Sequence, residues 1–158
     1  MRKLKLIIVN LVCGTIIPGF IRNKILKCLG HKISCLYPKC TFGFGDGHLI
    51  MGEGSYCNVG CFFDLGSDVY IGDEVAIGPN VHFITTTHDF GHENRRAGSV
   101  KNNSIYVGTG SWIGADSIIL PGVKIGKGVI VGAGSLVTKD LPENGMYMGR
   151  PARFIKHL

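Results

Sequence analysis

Between Asn80 and Gly98 the sequence reads NVHFITTTHDFGHENRRAG, which places the imidazoles of His82, His88 and His92 and the carboxylate of Asp89 in one polar run. Imidazole, with an unperturbed pKa near 6.5, is largely neutral at physiological pH and can take a proton from a hydroxyl or ligate a metal. A second carboxylate, Asp64, sits upstream in FFDLGSDV, where it can bind or orient a ligand or simply face solvent. Toward the end of the chain Lys139, Arg150, Arg153 and Lys156 gather in TKDLPENGMYMGRPARFIKHL. Such a cluster is the donor set that a phosphorylated ligand requires, although a solvated basic face has the same composition.

The elements that hold these groups are written as an internal repeat. Aliphatic or aromatic residues recur every six positions through Ile71, Ile77 and Phe83, and again through Val107, Ile113, Ile119, Ile125, Val131 and Val137. A glycine follows most of them, and Val or Ser stands four positions on, as at Val75, Ser111 and Val123. Turn pairs such as Pro79-Asn80, Pro121-Gly122 and Lys127-Gly128 separate the units. Each hexad therefore reads as a short strand and a corner, since β-branched residues favour the pleat and glycine tolerates tight corners. One hexad cannot bury its own apolar side, so coils must stack into a solenoid with a continuous inner column.

The period breaks in two places. Carried past Phe83, it would put Asp89, Arg95 and Lys101 into the core, so residues from about 86 to 104 are predicted to leave the coil as a protruding loop. Upstream, Met51, Cys57 and Phe63 keep step, but eight positions separate Phe63 from Ile71, which predicts a bulge there.

Composition is that of a globular protein: 158 residues, 45% hydrophobic and 18% charged, long enough for a core of its own. The formal charge of +6 suits nucleic acid, an anionic membrane or a phosphorylated ligand alike. The six cysteines, Cys13, Cys28, Cys35, Cys40, Cys57 and Cys61, form no CxxC pair and read as reduced thiols. The opening MRKLKLIIVNLVCGTIIPGF is basic then apolar, but Lys5, Asn10, Pro18 and Arg22 interrupt it and no small-x-small cleavage site follows. We read residues 1–30 as a helical segment, broken near Pro18, that caps a β-helix domain of residues 31–158. The helical segment also suits weak contact with a membrane surface.

The hexapeptide pattern resembles that of the left-handed parallel β-helix transferases, all-β proteins in which three hexads make a turn and three chains pack side by side. From about residue 50 onward the chain looks like the maltose, galactoside and nodulation-type O-acetyltransferases and their relatives in polysaccharide gene clusters. That resemblance implies acetyl-CoA as acyl donor, with His88 as the general base that deprotonates the acceptor. It places Asn58 at the acceptor and Trp112 beside the pantetheine arm. Ala133, Thr138, Lys139 and Arg153 then contact coenzyme A from the C-terminal tail, and Lys156 stands where the galactoside enzymes have arginine. Asp64 and Asp89 are added as candidate acceptor-binding carboxylates.

Departures from the family bear on the acceptor. Asp89 follows the base where the galactoside and maltose enzymes have proline, and their N-terminal acceptor-binding segment is not found in the sequence. His88-Asp89-Phe90 followed by Arg95, Arg96 and Gly98 looks more like acyltransferases of capsule, exopolysaccharide or lipopolysaccharide synthesis. The resemblance thus implies a homotrimer, with sites between neighbouring chains, that O-acetylates a sugar hydroxyl of a glycan; N-acetylation of an amino sugar and a non-catalytic scaffold are the alternatives. A zinc site of the γ-carbonic anhydrase kind would require a histidine in the later repeats, and none lies between His92 and His157, so no metal is expected. No nucleic-acid partner is expected. The soluble thioester donor and the absence of a clear export signal imply a cytoplasmic enzyme, near the membrane if the helical segment brings it there.

Overall fold

A computed structural model of the chain describes residues 2–14, 17–43 and 45–158. The hexads become strands of two or three residues joined by tight corners, and the strands fall into three parallel sheets. Strands 49–51, 69–71, 105–107 and 124–125 make the first face; 35–36, 56–57, 76–77, 112–113, 130–131 and 145–148 the second; 41–42, 62–63, 82–83, 118–119 and 136–137 the third. A chain that visits three sheets in rotation is a three-sided parallel β-solenoid. Tyr106 pairs with Lys124, Trp112 with Ile130 and Ile118 with Leu136, each 18 positions on, which is three hexads to a turn.

The predicted column is the core. Met51, Ile71, Val107 and Ile125 on the first face, Cys57, Ile77, Ile113 and Val131 on the second, and Phe63, Phe83, Ile119 and Val137 on the third are at most 3% exposed. On the third face aromatic rings continue from coil to coil: Phe63 stacks on Phe83 at 5.1 Å between centroids, and Phe42 lies 5.5 Å from Phe63. The Val/Ser position of the hexad also points inward. Its serines are tolerated because corner carbonyls of the stack accept their hydroxyls, Ser55 donating to Gly72 O at 2.6 Å and Ser111 to Gly126 O at 2.9 Å. Cys61 occupies the same position and donates its Sγ–H to Gly78 O at 3.3 Å. The corner glycine answers a close approach between coils: a Cβ on Gly114 would lie 2.5 Å from the amide nitrogen of Ala133.

Helices α1 (Arg2–Gly14) and α2 (Gly19–Cys28) close one end of the solenoid. α1 is described to Gly14 and α2 starts at Gly19, directly after Pro18; the expected break near Pro18 takes in residues 15 and 16, which lie outside the described residues. From α1, Val9, Val12 and Cys13 enter the core, and from α2 Leu26 does so. Asn10 pairs with the first strand of the third face, its Nδ2 donating to Phe42 O at 3.0 Å and its Oδ1 accepting from Phe42 N at 2.7 Å. An edge strand that would otherwise present free backbone groups is thereby capped by one side chain. At the other end strand 145–148 folds back on strand 153–157, and Tyr147, buried beneath Phe154, donates its hydroxyl to Pro142 O at 3.1 Å.

All six cysteines are free, with Cys13, Cys40, Cys57 and Cys61 buried and Cys28 and Cys35 exposed. Burial, reinforced by Cys40, pushes the Cys13 thiol up to about 12, and burial likewise raises Cys57. Titration with a thiol reagent in native buffer is therefore expected to modify Cys28 and Cys35 quickly and the other four only after unfolding.

Candidate active site

The chain leaves the coil after Phe83, on the third face, and rejoins it at Ile105, on the first, and the segment between them is more ordered than an open loop. Strands 86–90 and 97–102 form an antiparallel hairpin in which Thr86 faces Asn102, Thr87 faces Lys101, His88 faces Val100 and Phe90 faces Ala97. Gly98 lets the two strands close: a Cβ there would sit 3.0 Å from Asp89 O and 3.2 Å from Gly91 N.

His88 is exposed on this hairpin, with Nδ1 3.0 Å from the carbonyl oxygen of Gly98. A carbonyl only accepts, so Nδ1 is the donor, and in the neutral ring the lone pair then stands on Nε2. The imidazole is thus oriented and held in the tautomer that can accept a proton. Asp89 follows on the strand, where successive side chains alternate in direction, and its Oδ1 lies 2.6 Å from Lys101 Nζ. This exposed ion pair spans the two strands of the hairpin. Asp64, in the bulge, fastens the base of the same hairpin, its Oδ2 accepting from Thr86 N at 2.8 Å, Thr85 N at 3.2 Å and the Thr85 hydroxyl at 3.3 Å.

Beneath the hairpin lies a cleft of about 520 Å³, lined among others by Phe42, Asp46, Phe62, Asp64, Thr86 and Asn102. Aromatic rings beside carboxylates, a hydroxyl and an amide can hold a polar ligand that has an apolar face. Of these residues only Asp64 stood out in the sequence. Phe62 lies just before the bulge and Thr86 and Asn102 belong to the hairpin, while Phe42 and Asp46 come from the preceding coil, where Gly43 and Gly45 pack directly on the bulge; a Cβ on Gly43 would run into the carbonyl of Asp64 and one on Gly45 into that of Leu65. The alternating glycines of GFGDG were the available signal.

The remaining candidates lie elsewhere on the solenoid. Thr138 and Lys139 are exposed at the corner between the third and first faces, the edge from which the hairpin also springs. Trp112, 56% exposed, stands on the second face, and Asn58 and the exposed Ala133 occupy the corner between the second and third faces. Asn58 Oδ1 accepts from Val59 N at 2.8 Å, and an asparagine anchored in this way retains two N–H donors for a ligand. Arg153 and Lys156 are exposed on strand 153–157, beside the second face, pairing with Met148 and Met146. Arg153 also donates to Ala152 O at 3.1 Å. One chain therefore brings His88, Asp64, Thr138 and Lys139 to one edge and Asn58, Trp112, Ala133, Arg153 and Lys156 to another region, with the third face between them.

Fold and repeat together define a hexapeptide-type β-solenoid. The family described as bacterial transferase hexapeptide (six repeats) matches residues 104–139. A galactoside O-acetyltransferase of Lactococcus lactis subsp. lactis is 39% identical over 116 residues, which is 73% of this chain and 56% of that protein. The chain thus spans little more than half the length of the curated relatives it matches. Among solved structures, a maltose O-acetyltransferase from Clostridium difficile superposes with a TM-score of 0.87 at 32% identity, covering 99% of this chain and 86% of that one. A hexapeptide-repeat acetyltransferase of Vibrio cholerae complexed with acetyl-coenzyme A superposes with a TM-score of 0.89 at 28% identity, over 99% of this chain and 87% of that one. The chain belongs to the hexapeptide-repeat acetyltransferase family, in the group of the maltose and galactoside O-acetyltransferases. The left-handed winding comes with that membership, and the structural match takes in the helical cap as well as the coils.

Proposed function

We propose that the protein is an acetyl-CoA-dependent O-acetyltransferase acting on a sugar hydroxyl in polysaccharide synthesis, working as a homotrimer. The observation that carries this reading is the 3.0 Å contact of His88 Nδ1 with Gly98 O, which orients the ring so that, in the neutral form, Nε2 is left to act as base. Nε2 accepts the proton of the acceptor hydroxyl as the hydroxyl oxygen attacks the acetyl carbonyl carbon. The carbon–sulfur bond then breaks, and the imidazolium returns its proton to the departing thiolate, so His88 ends the cycle as it began. A neutral base so placed serves an amine as well as a hydroxyl, and the family group favours the hydroxyl.

The two separated sets of residues support a site between subunits. Packing the hairpin edge of one solenoid along the second face of its neighbour gathers His88, Thr138 and Lys139 with the neighbour's copies of Asn58, Trp112, Ala133, Arg153 and Lys156. That groove offers a stacking ring, backbone amides of the coils and cations suited to a phosphorylated nucleotide. The cleft beneath the hairpin, with Asp64 and Asn102 beside the Phe42 and Phe62 rings, receives the acceptor sugar. Asp89, paired with Lys101, lies on the same hairpin and limits how the acceptor can approach. No helix among the described residues is long and apolar enough to cross a membrane, and we place the enzyme in the cytoplasm, where its thioester donor is made.

The test is acetyl-CoA-dependent release of free thiol against a panel of glycans, free and lipid-linked, and of amino sugars. Turnover with a hydroxyl acceptor supports the proposal. Turnover with amino sugars alone redirects it to N-acetylation, and failure to bind acetyl-CoA at all leaves a scaffold.

A further inference from the structure

The helical cap carries more apolar surface than the core takes up. On α1, Val9, Val12 and Cys13 are buried against the solenoid, while Leu4, Ile7, Ile8 and Leu11 form a second stripe at i, i+3, i+4 and i+7, with Leu4 and Ile7 61% and Leu11 63% exposed. A helix that caps a domain toward water alone is polar on that side. Phe20, 77% exposed, and Ile21 add to this surface at the start of α2. Charge is concentrated at the same end of the sequence. Eight of the 17 Lys and Arg but none of the 11 Asp and Glu fall within residues 1–45, leaving nine cations against 11 carboxylates in the rest of the chain.

We propose that this end of the solenoid docks on an anionic lipid bilayer, with the outer stripe of α1 and Phe20 seated at the level of the upper acyl chains and Lys24 and Lys27 at the headgroup phosphates. Apolar side chains interleaved with cations are what an interfacial helix presents to such a surface. The 13 residues of α1 extend about 20 Å, less than the roughly 30 Å of a hydrocarbon core, so the helix lies in the interface. A second copy that met this face with its own cap would bring the same excess of positive charge against it, and the contact proposed above between copies uses the hairpin edge and the second face instead. The position also bears on the acceptor. Asn10 of α1 holds the backbone of Phe42, and Phe42 lines the cleft beneath the hairpin, so a docked cap brings that cleft to the membrane. On the transferase reading, on which this last step alone rests, the acceptor is a lipid-linked saccharide.

The experiment is sedimentation of the full chain with vesicles of phosphatidylcholine alone and of phosphatidylcholine with phosphatidylglycerol, at low and high salt. At least about tenfold tighter binding to the anionic vesicles is expected, weakened by salt. The Ile7→Ser/Leu11→Ser and Lys24→Glu/Lys27→Glu variants are each expected to lose about tenfold or more in vesicle affinity and to bind acetyl-CoA as the wild type does. Equal or absent binding to the two vesicle types overturns the proposal. So does anionic-vesicle binding that the serine variant leaves unchanged, which is adsorption by charge alone, or a change of oligomeric mass in that variant without loss of vesicle binding. Vesicle binding is read without turnover, so failure of the transferase reading leaves this result standing.

Discussion

Replacement of His88 by Ala is expected to lower kcat by about 10² to 10⁴-fold while acetyl-CoA still binds, because in the proposed mechanism the residue contributes proton transfer in the transition state and little to holding the donor. His88→Asn sharpens the test. Its amide nitrogen stands near the position of Nδ1 and can still donate to Gly98 O, but it offers no basic nitrogen, so it should be as inactive as alanine despite the retained hydrogen bond. Steady-state rates together with calorimetric titration of acetyl-CoA separate the two effects. A variant that keeps most of its kcat would show that the proton leaves by another route.

The second large effect is on stability. Phe63 is fully buried and stacks between Phe42 and Phe83, with Asp64 and the cleft next to it in sequence. Phe63→Ala opens a cavity between two rings of the column, and the expected cost is about 3 to 5 kcal/mol. For a chain of this length that is a fall in Tm of roughly 10 °C, to be measured by scanning calorimetry at matched protein concentration. Ile119→Val, two coils further along the same face, removes a single methylene and should cost only about 1 kcal/mol. The contrast between the two reports whether the aromatic ladder is the stiff part of the stack.

The period of six was legible because solenoid coils repeat one environment, so each Ile, Val or Phe of the column is read by the same rule. The rule fades where the coils lengthen. Cys35 pairs with Tyr56 at 21 positions and Tyr56 with Ala76 at 20, against 18 further on, and the additional residues are those of GFGDG and of the bulge at Asp64. That is where the cleft forms, so Phe42, Asp46 and Phe62 carried no periodic signal. The break at Thr86 was visible as charges that a dry column rejects, but the pairing of Thr86–Phe90 with Ala97–Asn102 was not, since HENRR is no short hairpin turn. His88 could be picked out by resemblance to a family; that Gly98 O fixes its tautomer is a property of the folded hairpin alone. The placing of Asn58 and Trp112 a whole face away from His88 likewise depends on which corner each hexad reaches.

That separation gives the most direct measurement of the central claim, that acetyl transfer takes place between subunits with His88 of one chain as base. His88→Ala and Asn58→Ala chains, each expected on the proposed mechanism to be nearly inactive alone, are unfolded together in equal amounts and refolded as mixed trimers. A site built from the hairpin edge of one chain and the second face of the next is restored once in every hybrid trimer, and the mixture is predicted to regain about a quarter of wild-type activity. A mixture that forms hybrid trimers by mass and stays as inactive as its parents would contradict the account, because it would place His88 and Asn58 in the same site of a single chain.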